Sequence, residues 1–334
     1  MRSSGARDGA RHRILHSLTL VGVLVASLLG ATLTARAAPS NVAYVAGTVQ
    51  VSDRVTRISV YSPSMDRVVT SDVIHPTGGG PAPTFYLLTG ITGGEDGVSW
   101  YNNTDVTNFF ADKHVNVVLP VGGKYSMYTD WDADDPVLGR NKWQTFLTRE
   151  LPPVIDRQFG TTGVNALGGV SMAAGPVLDL AIQAPDVYRA VGSYSGCAGT
   201  SDFNGQAMVR SMVEVRGGGN VNNMWGPGGG PQWIEHDPVV QAERLRGKVL
   251  FLSAASGMPG AIDRLDPLIA IPQGLVGGLL ESITMRCTAV MDARLRSLGI
   301  PATIVYRDVG SHTWGVFEAE MRDSWAVLGP AIGA

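Results

Sequence analysis

One short segment organises this sequence: Gly168-Gly169-Val170-Ser171-Met172-Ala173-Ala174-Gly175. It follows an apolar run, 164–167, that predicts a buried strand, and it precedes a run, 176–183, that predicts a helix. A serine flanked by small residues in a strand-to-helix turn is typical of a nucleophile elbow. Bulky neighbours do not fit so sharp a turn, so Gly169 and Ala173 suit positions −2 and +2, where glycine is usual at +2. The alternative is an ordinary glycine-rich turn in which Ser171 caps the helix.

The first 37 residues have the features of a secretory signal peptide. A basic segment precedes an apolar run from Leu18 to Leu33, and Ala35-Arg36-Ala37 supplies an A-x-A cleavage site. We therefore expect residues 1–37 to be removed and the protein to be secreted or held in the cell envelope. The alternative is an uncleaved membrane anchor, because the apolar run is long for a signal peptide.

Charge and cysteine count narrow the function classes. Residues 1–37 carry five Arg and one Asp, so their removal changes the formal net charge from −3 to −7. This charge, with no basic stripe, argues against a nucleic-acid partner. Cys197 and Cys287 form an even pair, which predicts one disulfide bond in an exported protein; the alternative is two buried free thiols. No His/Asp/Glu cluster has ligand spacing, so we expect neither a metal nor another cofactor.

Strands and helices alternate along residues 38–334, which we expect to form a single catalytic domain. Short β-type runs between residues 42 and 74 predict an antiparallel edge. Five later runs predict buried strands, starting at residues 84, 115, 164, 188 and 248, and a final strand starts at 302. Helices are predicted over 106–113, 145–159, 275–298 and 318–328. The alternation predicts an α/β fold with a mostly parallel central sheet and helices on both faces. Residues 199–237 predict an irregular or helical insertion near the site.

A serine nucleophile needs a base, and residues 38–334 contain four histidines. His75 lies in an early turn, His114 opens a strand at its far end, and His236 lies in the insertion. His312 follows the carboxyl end of a buried strand, where α/β sheets place their sites. It also follows Ser171 in the chain order expected of α/β hydrolases. The alternative for His312 is a capping or packing role.

The third member of such a site is an acid that orients the histidine. Asp263, Asp266 and Glu281 all follow the strand over 248–255. Position alone does not choose among these three carboxylates, and the first two lie nearer the strand end. Glu281 could instead be an acid near a helix start, favoured by the helix dipole.

Several further motifs resemble the mycolyltransferases of the antigen 85 complex and their corynebacterial relatives. They run in family order across nearly the whole mature chain and are specific as a set. The matching segments are Tyr86-Leu-Leu-Thr-Gly, Pro120-Val-Gly-Gly, Tyr128-Thr-Asp-Trp, Trp143-Gln-Thr-Phe-Leu-Thr-Arg-Glu-Leu-Pro, Gly169-Val-Ser-Met-Ala-Ala, Met224-Trp-Gly-Pro, Trp233 with Asp237-Pro238, Leu280-Glu281 and Gly310-Ser-His-Thr-Trp.

The resemblance implies an α/β-hydrolase fold and a role for each site residue. It implies Ser171 as nucleophile, His312 as general base and Glu281 as orienting acid, with oxyanion donors on the backbone of Ile91 and Met172. In such enzymes the serine takes a mycolyl group from trehalose monomycolate. A sugar hydroxyl of a second trehalose monomycolate, or of the cell-wall glycan arabinogalactan, then accepts it. Such a role also allows peripheral association with the mycolate layer.

The sugar-binding side departs from the mycobacterial pattern. The mycobacterial members carry Asp and Arg where this chain has Thr89 and Thr92, so we expect a less charged mouth. Trp314, beside the base, would wall the sugar pocket, or it packs in the core. Two other functions compete with acyl transfer: a secreted carboxylesterase with the same three residues, and a non-catalytic wall-binding relative.

Overall fold

A nine-stranded sheet runs through residues 41–265 and 270–334, which a computed structural model of the protein describes. These residues lie within one compact unit. The strands are β1 (Tyr44–Ser52), β2 (Val55–Ser62), β3 (Arg67–Ile74), β4 (Thr84–Leu88), β5 (Asn116–Val121), β6 (Asn165–Val170), β7 (Tyr188–Tyr194), β8 (Val249–Ala255) and β9 (Thr303–Arg307).

The order of the strands is β1-β2-β3-β5-β4-β6-β7-β8-β9. The first three strands form an antiparallel meander, and β3 is also antiparallel to β5. All pairs from β5 to β9 are parallel. The predicted antiparallel edge on a mostly parallel sheet is therefore confirmed. The carboxyl ends of the parallel strands meet at one edge of the sheet, where α/β folds build their sites.

Ten α-helical segments connect or follow the strands in the described residues. They are α1 (Trp100–Asn103), α2 (Val106–Phe109), α3 (Trp143–Thr145), α4 (Leu151–Phe159), α5 (Ala174–Gln183), α6 (Phe203–Arg210), α7 (Val221–Trp225), α8 (Pro231–Glu235), α9 (Ala270–Ser297) and α10 (Trp314–Ile332).

Two apolar cores lie on opposite faces of the sheet, as the alternation of side chains along a strand requires. On one face Tyr86 and Leu167 pack with buried residues of α4 and α5. On the other face Phe85 and Val170 pack with buried residues of α1, α2 and α10. Helices therefore cover both faces, and the predicted α/β-hydrolase fold class is confirmed.

The helix predicted over 145–159 is interrupted before its two prolines. The chain is α-helical in α3, widens to a π-helical turn over Phe146–Glu150, and resumes as α4. Pro152 and Pro153 have no N–H to donate, so they fit the first turn of a new helix and not the middle of a continuous one. Gly160 ends α4 in the left-handed conformation, with φ of 61°.

Other helix boundaries differ from those predicted. Helix α9 extends over Ala270–Ser297, so it includes five residues before the predicted start at 275. Helix α10 begins at Trp314, directly after the extended residue Thr313. The insertion over 199–237 is largely helical, with α6, α7, α8 and a π-helical turn over Ser211–Arg216.

The predicted signal peptide over 1–37, including its alternative as a membrane anchor, lies outside the described residues. Among residues 41–265 and 270–334, no helix has the length and apolarity that crossing a membrane would require. The assignment of residues 38–334 to a single catalytic domain stays a prediction.

Candidate active site

Ser171 occupies the turn between β6 and α5. It opens a single 3₁₀ turn, Ser171–Ala173, and its φ is +57°. A non-glycine residue in this left-handed region carries strain that the surrounding structure must sustain, and such residues cluster at functional sites. The segment therefore has the backbone of a nucleophile elbow, as its sequence predicts.

The space around the turn explains why small residues flank the serine. A Cβ at Gly169 would lie 2.7 Å from Val177 Cγ1 and 2.9 Å from the Ala173 Cβ. Contacts this short would push α5 away from the sheet. The glycine is therefore a packing requirement of the elbow, and Ala173 leaves just enough room at the +2 position.

His312 joins the serine to Glu281. His312 Nε2 lies 2.8 Å from Ser171 Oγ, and His312 Nδ1 lies 2.6 Å from Glu281 Oε2. An ionised carboxylate only accepts hydrogen bonds, so Nδ1 carries the proton that Glu281 accepts. Nε2 is then free to accept the proton of the serine hydroxyl. The structure thus brings together the three residues that the sequence and the resemblance selected for catalysis.

The Glu281 carboxylate is fully buried, yet each oxygen has a partner. Oε1 accepts hydrogen bonds from the Ala255 N–H at 2.7 Å and from the Ser195 hydroxyl at 2.6 Å. Oε2 accepts from His312. A buried carboxylate with this many donors keeps a fixed orientation.

Asp263, left open as an orienting acid by position alone, supports the histidine in another way. Its Oδ1 accepts hydrogen bonds from the Ser311 N–H at 2.7 Å, the Ser311 hydroxyl at 2.8 Å and the Thr313 hydroxyl at 2.9 Å. Burial raises the pKa of Asp263, but these hydrogen bonds and one from the Gly260 N–H outweigh it and lower the pKa. Asp263 therefore braces the turn on either side of His312. Asp266 lies outside the described residues.

The other three histidines contact partners elsewhere in the fold. His75 Nε2 lies 2.7 Å from Thr56 Oγ1, and His114 Nδ1 lies 2.6 Å from the Thr77 carbonyl. His236 pairs with a carboxylate of α5. None of these three contacts is with Ser171, which agrees with the choice of His312 from its position after a strand.

The loop after β4 lies directly against the serine, where an oxyanion donor would have to be. A Cβ at Gly90 would lie 3.2 Å from the Ser171 Cβ. Ile91, the next residue, is held in place because its carbonyl accepts a hydrogen bond of 2.9 Å from the Tyr125 N–H. Met172, the other predicted donor, follows Ser171 at the start of the 3₁₀ turn and is buried.

Thr89 and Thr92 occupy different environments in the same loop. Thr89 is only 5% exposed, and its carbonyl accepts a hydrogen bond from the Tyr128 hydroxyl. Thr92 is half-buried, and its hydroxyl donates to Asp96 at 3.0 Å. A direct role of either side chain in sugar binding stays a prediction.

A cleft of about 830 Å³ opens beside His312. Trp314 lines it while also contacting Trp100 and Phe317 edge-to-face at 5.3 and 5.6 Å between ring centroids. Trp314 therefore both lines the cleft and packs against neighbouring rings, and its role as a wall of a sugar pocket stays a prediction. The lining residues are Asn103, Asp263, Arg264, Leu265, Gln273, Val276, Gly277, Leu280, His312, Thr313, Trp314 and Gly315.

The structure contains the disulfide bond between Cys197 and Cys287. Cys197 follows β7, and Cys287 lies in α9 six residues after Glu281. The bond therefore ties the helix that carries Glu281 to the loop that follows β7. In the part of the chain that the structure describes, no three His, Cys, Asp or Glu side chains are grouped as a metal site would require.

Sequence reasoning missed two buried residues next to Glu281. Ser195, immediately after β7, has a φ of +46° and donates to Glu281. Glu320 of α10 lies on the other side of Ser195, with Oε2 at 2.9 Å from Ser195 Oγ. Ser195 follows the end of a strand at the same edge of the sheet as Ser171, so its position near the site could have been predicted from the sequence. Nothing in the sequence indicates that Glu320 is the residue of α10 that faces Ser195.

The sheet and the elbow place the protein in the α/β-hydrolase class, and the first comparison agrees. Residues 62–260 match the protein family described as "Putative esterase". An S-formylglutathione hydrolase from Agrobacterium tumefaciens has the same fold, with a TM-score of 0.60 at 14% identity over 87% of this chain and 100% of that one.

Closer relatives define the family within this class. The diacylglycerol acyltransferase/mycolyltransferase Ag85A of Mycobacterium leprae is 31% identical over 84% of each chain. Ag85B of Mycolicibacterium smegmatis is 32% identical over 80% of this chain and 82% of its own. The crystal structure of MPT51 from Mycobacterium tuberculosis aligns with a TM-score of 0.68 and 26% identity, over 81% of this chain and 96% of that one. The chain belongs to the antigen 85 family, which confirms the resemblance, and it is an acyltransferase.

Proposed function

We propose that this protein is an exported mycolyltransferase that works through an acyl-serine. It takes a mycolyl group from trehalose monomycolate and passes it to a second trehalose monomycolate or to arabinogalactan. The observation that carries the proposal is the continuous hydrogen-bond chain from Ser171 through His312 to Glu281. The names of the Ag85 relatives supply the substrate class.

The first half-reaction forms the acyl-enzyme. Ser171 Oγ attacks the ester carbonyl carbon while His312 Nε2 takes the hydroxyl proton. Glu281 stabilises the resulting imidazolium, and the N–H groups of Ile91 and Met172 stabilise the oxyanion. The bond from the carbonyl carbon to the trehalose oxygen then breaks, and His312 returns the proton to that leaving oxygen.

The second half-reaction repeats these steps with a sugar hydroxyl as nucleophile. The acceptor hydroxyl gives its proton to His312 Nε2 and attacks the acyl carbon, and Ser171 leaves and regains its proton. Transfer exceeds hydrolysis only if the acceptor hydroxyl is better placed than water. The cleft beside His312, with Trp314 and several polar groups on its walls, is where we place the acceptor sugar.

The first turns of α9 support association with the mycolate layer. Ile271, Leu275 and Val276 are 77%, 70% and 71% exposed. Val276 also lines the cleft beside His312, so this apolar rim borders the entrance to the proposed site. No charged residue occurs from 270 to 280. An apolar rim of this kind suits a substrate with long alkyl chains.

Incubation of the purified protein with labelled trehalose monomycolate, followed by lipid separation, tests the proposal. We expect labelled trehalose dimycolate, and we expect Ser171→Ala to abolish it. The second candidate, favoured by the esterase family match, is a carboxylesterase, and it would give free mycolic acid alone. A wall-binding relative would give no turnover and no labelling of Ser171 by a fluorophosphonate probe. The last two outcomes would each overturn mycolyl transfer.

A further inference from the structure

A second buried carboxyl group lies directly behind the proposed catalytic residues. Glu320 and Glu281 are both fully buried, and the hydroxyl of Ser195, also fully buried, lies between them. Ser195 Oγ is 2.6 Å from Glu281 Oε1 and 2.9 Å from Glu320 Oε2. Both contacts have hydrogen-bond length, so each needs a proton between its two oxygen atoms.

A serine hydroxyl has one proton and can donate it to only one of the two carboxyl groups. If both were ionised, the second contact would set a carboxylate oxygen against a hydroxyl lone pair. It would also leave two negative charges in one dry region, which is costly. The geometry therefore requires that one of the two carboxyl groups carries a proton and donates it to Ser195.

The surroundings assign that proton to Glu320. Glu281 has further donors, the Ala255 N–H and His312, that favour its ionised form. Glu320 Oε1 has no hydrogen-bond partner among the residues that the structure describes. Burial, followed by the charge of Glu281, raises the pKa of Glu320 well above its usual range.

The charged and titratable groups that face Glu320 come from three elements besides its own. They are Glu281 of α9, Arg307 of β9 and Tyr194 of β7. The hydroxyls of Ser195 and Ser253 and the positive charge of Arg307 lower the pKa of Glu320, but burial and the charge of Glu281 outweigh them. Arg307 is instead paired with Asp323 on the next turn of α10.

We propose that Glu320 is a neutral carboxylic acid that donates a hydrogen bond to Ser195 and thereby positions Glu281. The proton of Glu320 points to Ser195 Oγ, which fixes the Ser195 proton toward Glu281 Oε1. Oε2 of the same carboxylate is then held toward His312. Glu320 touches no reacting atom, so it is a positioning residue. This role rests on the proposed function of Ser171, His312 and Glu281.

Infrared difference spectroscopy tests the protonation state without any turnover. The spectrum of Ser171→Ala at pH 7 is compared with that of the double variant Ser171→Ala/Glu320→Gln. We expect the first protein to show the C=O stretch of a protonated carboxyl group that the second lacks. A difference consisting only of carboxylate bands would overturn the proposal. Because neither protein has the nucleophile, this result does not depend on the proposed function.

The rate of Ser171 labelling by a fluorophosphonate, followed against pH, tests the positioning role. Glu320→Met has similar length but no donor, and we expect it to slow labelling about tenfold at saturating probe with little change in probe affinity. Glu320→Gln keeps a neutral donor to Ser195, so we expect it to restore most of that loss. Urea unfolding of both variants shows whether they are folded under the assay conditions.

The pH midpoint of labelling separates the neutral acid from a charged one. The Gln side chain is as neutral as the proposed acid, so we expect Glu320→Gln to leave the acidic midpoint of labelling in place. If Glu320 were ionised, its replacement by Gln would remove a negative charge near His312 and move that midpoint to lower pH. Such a shift, or equal slowing by Gln and Met, would overturn the proposal. If wild type were not labelled at all, the proposed function would fail, while the infrared result would still stand.

Discussion

Among the residues that the structure describes, two histidine–carboxylate pairs have nearly equal length, and they differ in what the rest of the histidine ring contacts. The distance is 2.6 Å from His312 Nδ1 to Glu281 and 2.7 Å from His236 Nδ1 to Asp179. In the first pair the second ring nitrogen lies 2.8 Å from Ser171 Oγ. Both pairs are largely buried. We call the first the serine-facing pair and the second, whose histidine stacks on a tryptophan, the buried pair.

The buried pair has the partners of a structural element. The ring of His236 stacks on Trp225, with centroids 5.0 Å apart and planes within 2°. Asp179 also accepts a hydrogen bond from Gln183 one turn along α5. A histidine oriented by a carboxylate is therefore not in itself a catalytic feature. It becomes a candidate base when its other nitrogen reaches a nucleophile at a strand end.

The largest expected effect follows from removing the acid of the serine-facing pair. In Glu281→Gln an amide N–H would replace an acceptor of the His312 Nδ1 proton, which disfavours the required tautomer. We expect kcat for acyl transfer to fall about 10⁴-fold with little change in KM. Steady-state transfer assays at pH 7 measure this change.

The matched change in the buried pair is Asp179→Asn, and it should leave kcat within the same order of magnitude as wild type. Both substitutions exchange a carboxylate for an amide beside a histidine. If the two variants lost activity equally, the distinction between the serine-facing pair and the buried pair would be wrong.

Removal of the disulfide bond that anchors the helix carrying Glu281 should have the next largest effect. The Cys197–Cys287 bond closes a loop of 90 residues and anchors the helix that carries Glu281. We expect Cys197→Ser/Cys287→Ser to lower the free energy of unfolding by about 4 kcal/mol in urea. Adding a thiol reductant should lower the stability of wild type but not that of the variant. Equal stability of the two proteins without reductant would contradict this expectation.

Asp263 braces the turn around His312 and should have an intermediate effect. We expect Asp263→Asn to lower the free energy of unfolding by about 1–3 kcal/mol, since a charged acceptor of several buried donors is lost. The folded-state pKa of Asp263 is lowered, so its stabilising contribution is present above the unfolded pKa and is lost as pH falls through the folded value. Urea unfolding from pH 7 to pH 3 should therefore show the variant approaching wild type. A constant difference would contradict this linkage.

The smallest expected effect concerns the pH dependence of the buried pair. Burial lowers the pKa of His236, but the hydrogen bond and charge of Asp179 outweigh it, so the pKa is raised. The contribution of the charged pair is thus fully present below the unfolded pKa and is lost as pH rises through the folded value. We expect Asp179→Asn to be less stable than wild type by about 1–3 kcal/mol at pH 6, and by less at pH 9. A difference that grows with pH would contradict the raised pKa.

The sequence predicted the positions of Ser171 and His312 better than it predicted the groups that support them. Ser171 and His312 each follow a strand end, and strands are recognisable as apolar runs, so their meeting at one edge was predictable. Residue position left Asp263, Asp266 and Glu281 open, because Glu281 returns to the strand edge from within α9, 26 residues after Ala255. The family resemblance, not the spacing, selected Glu281.

The parts of the fold that could not be predicted depend on three-dimensional packing. Helix α10 begins four residues earlier than predicted, because the extended residue Thr313 and not the apolar pattern sets its first turn. The position of Glu320 behind Ser195 depends on how α10 rotates against β7 and β8. One-dimensional periodicity does not specify that rotation for a helix buried along much of its length.

Mass spectrometry of the quenched enzyme shows whether Ser171 carries the acyl group during turnover. The protein is mixed with trehalose monomycolate, stopped with acid within its first turnovers, digested and mapped. We expect a peptide containing Ser171 that is heavier by one mycolyl group, and we expect Ser171→Ala to lack it. Steady turnover with no acylated Ser171 peptide, or with the acyl group on another residue, would show that Ser171 is not the acyl carrier.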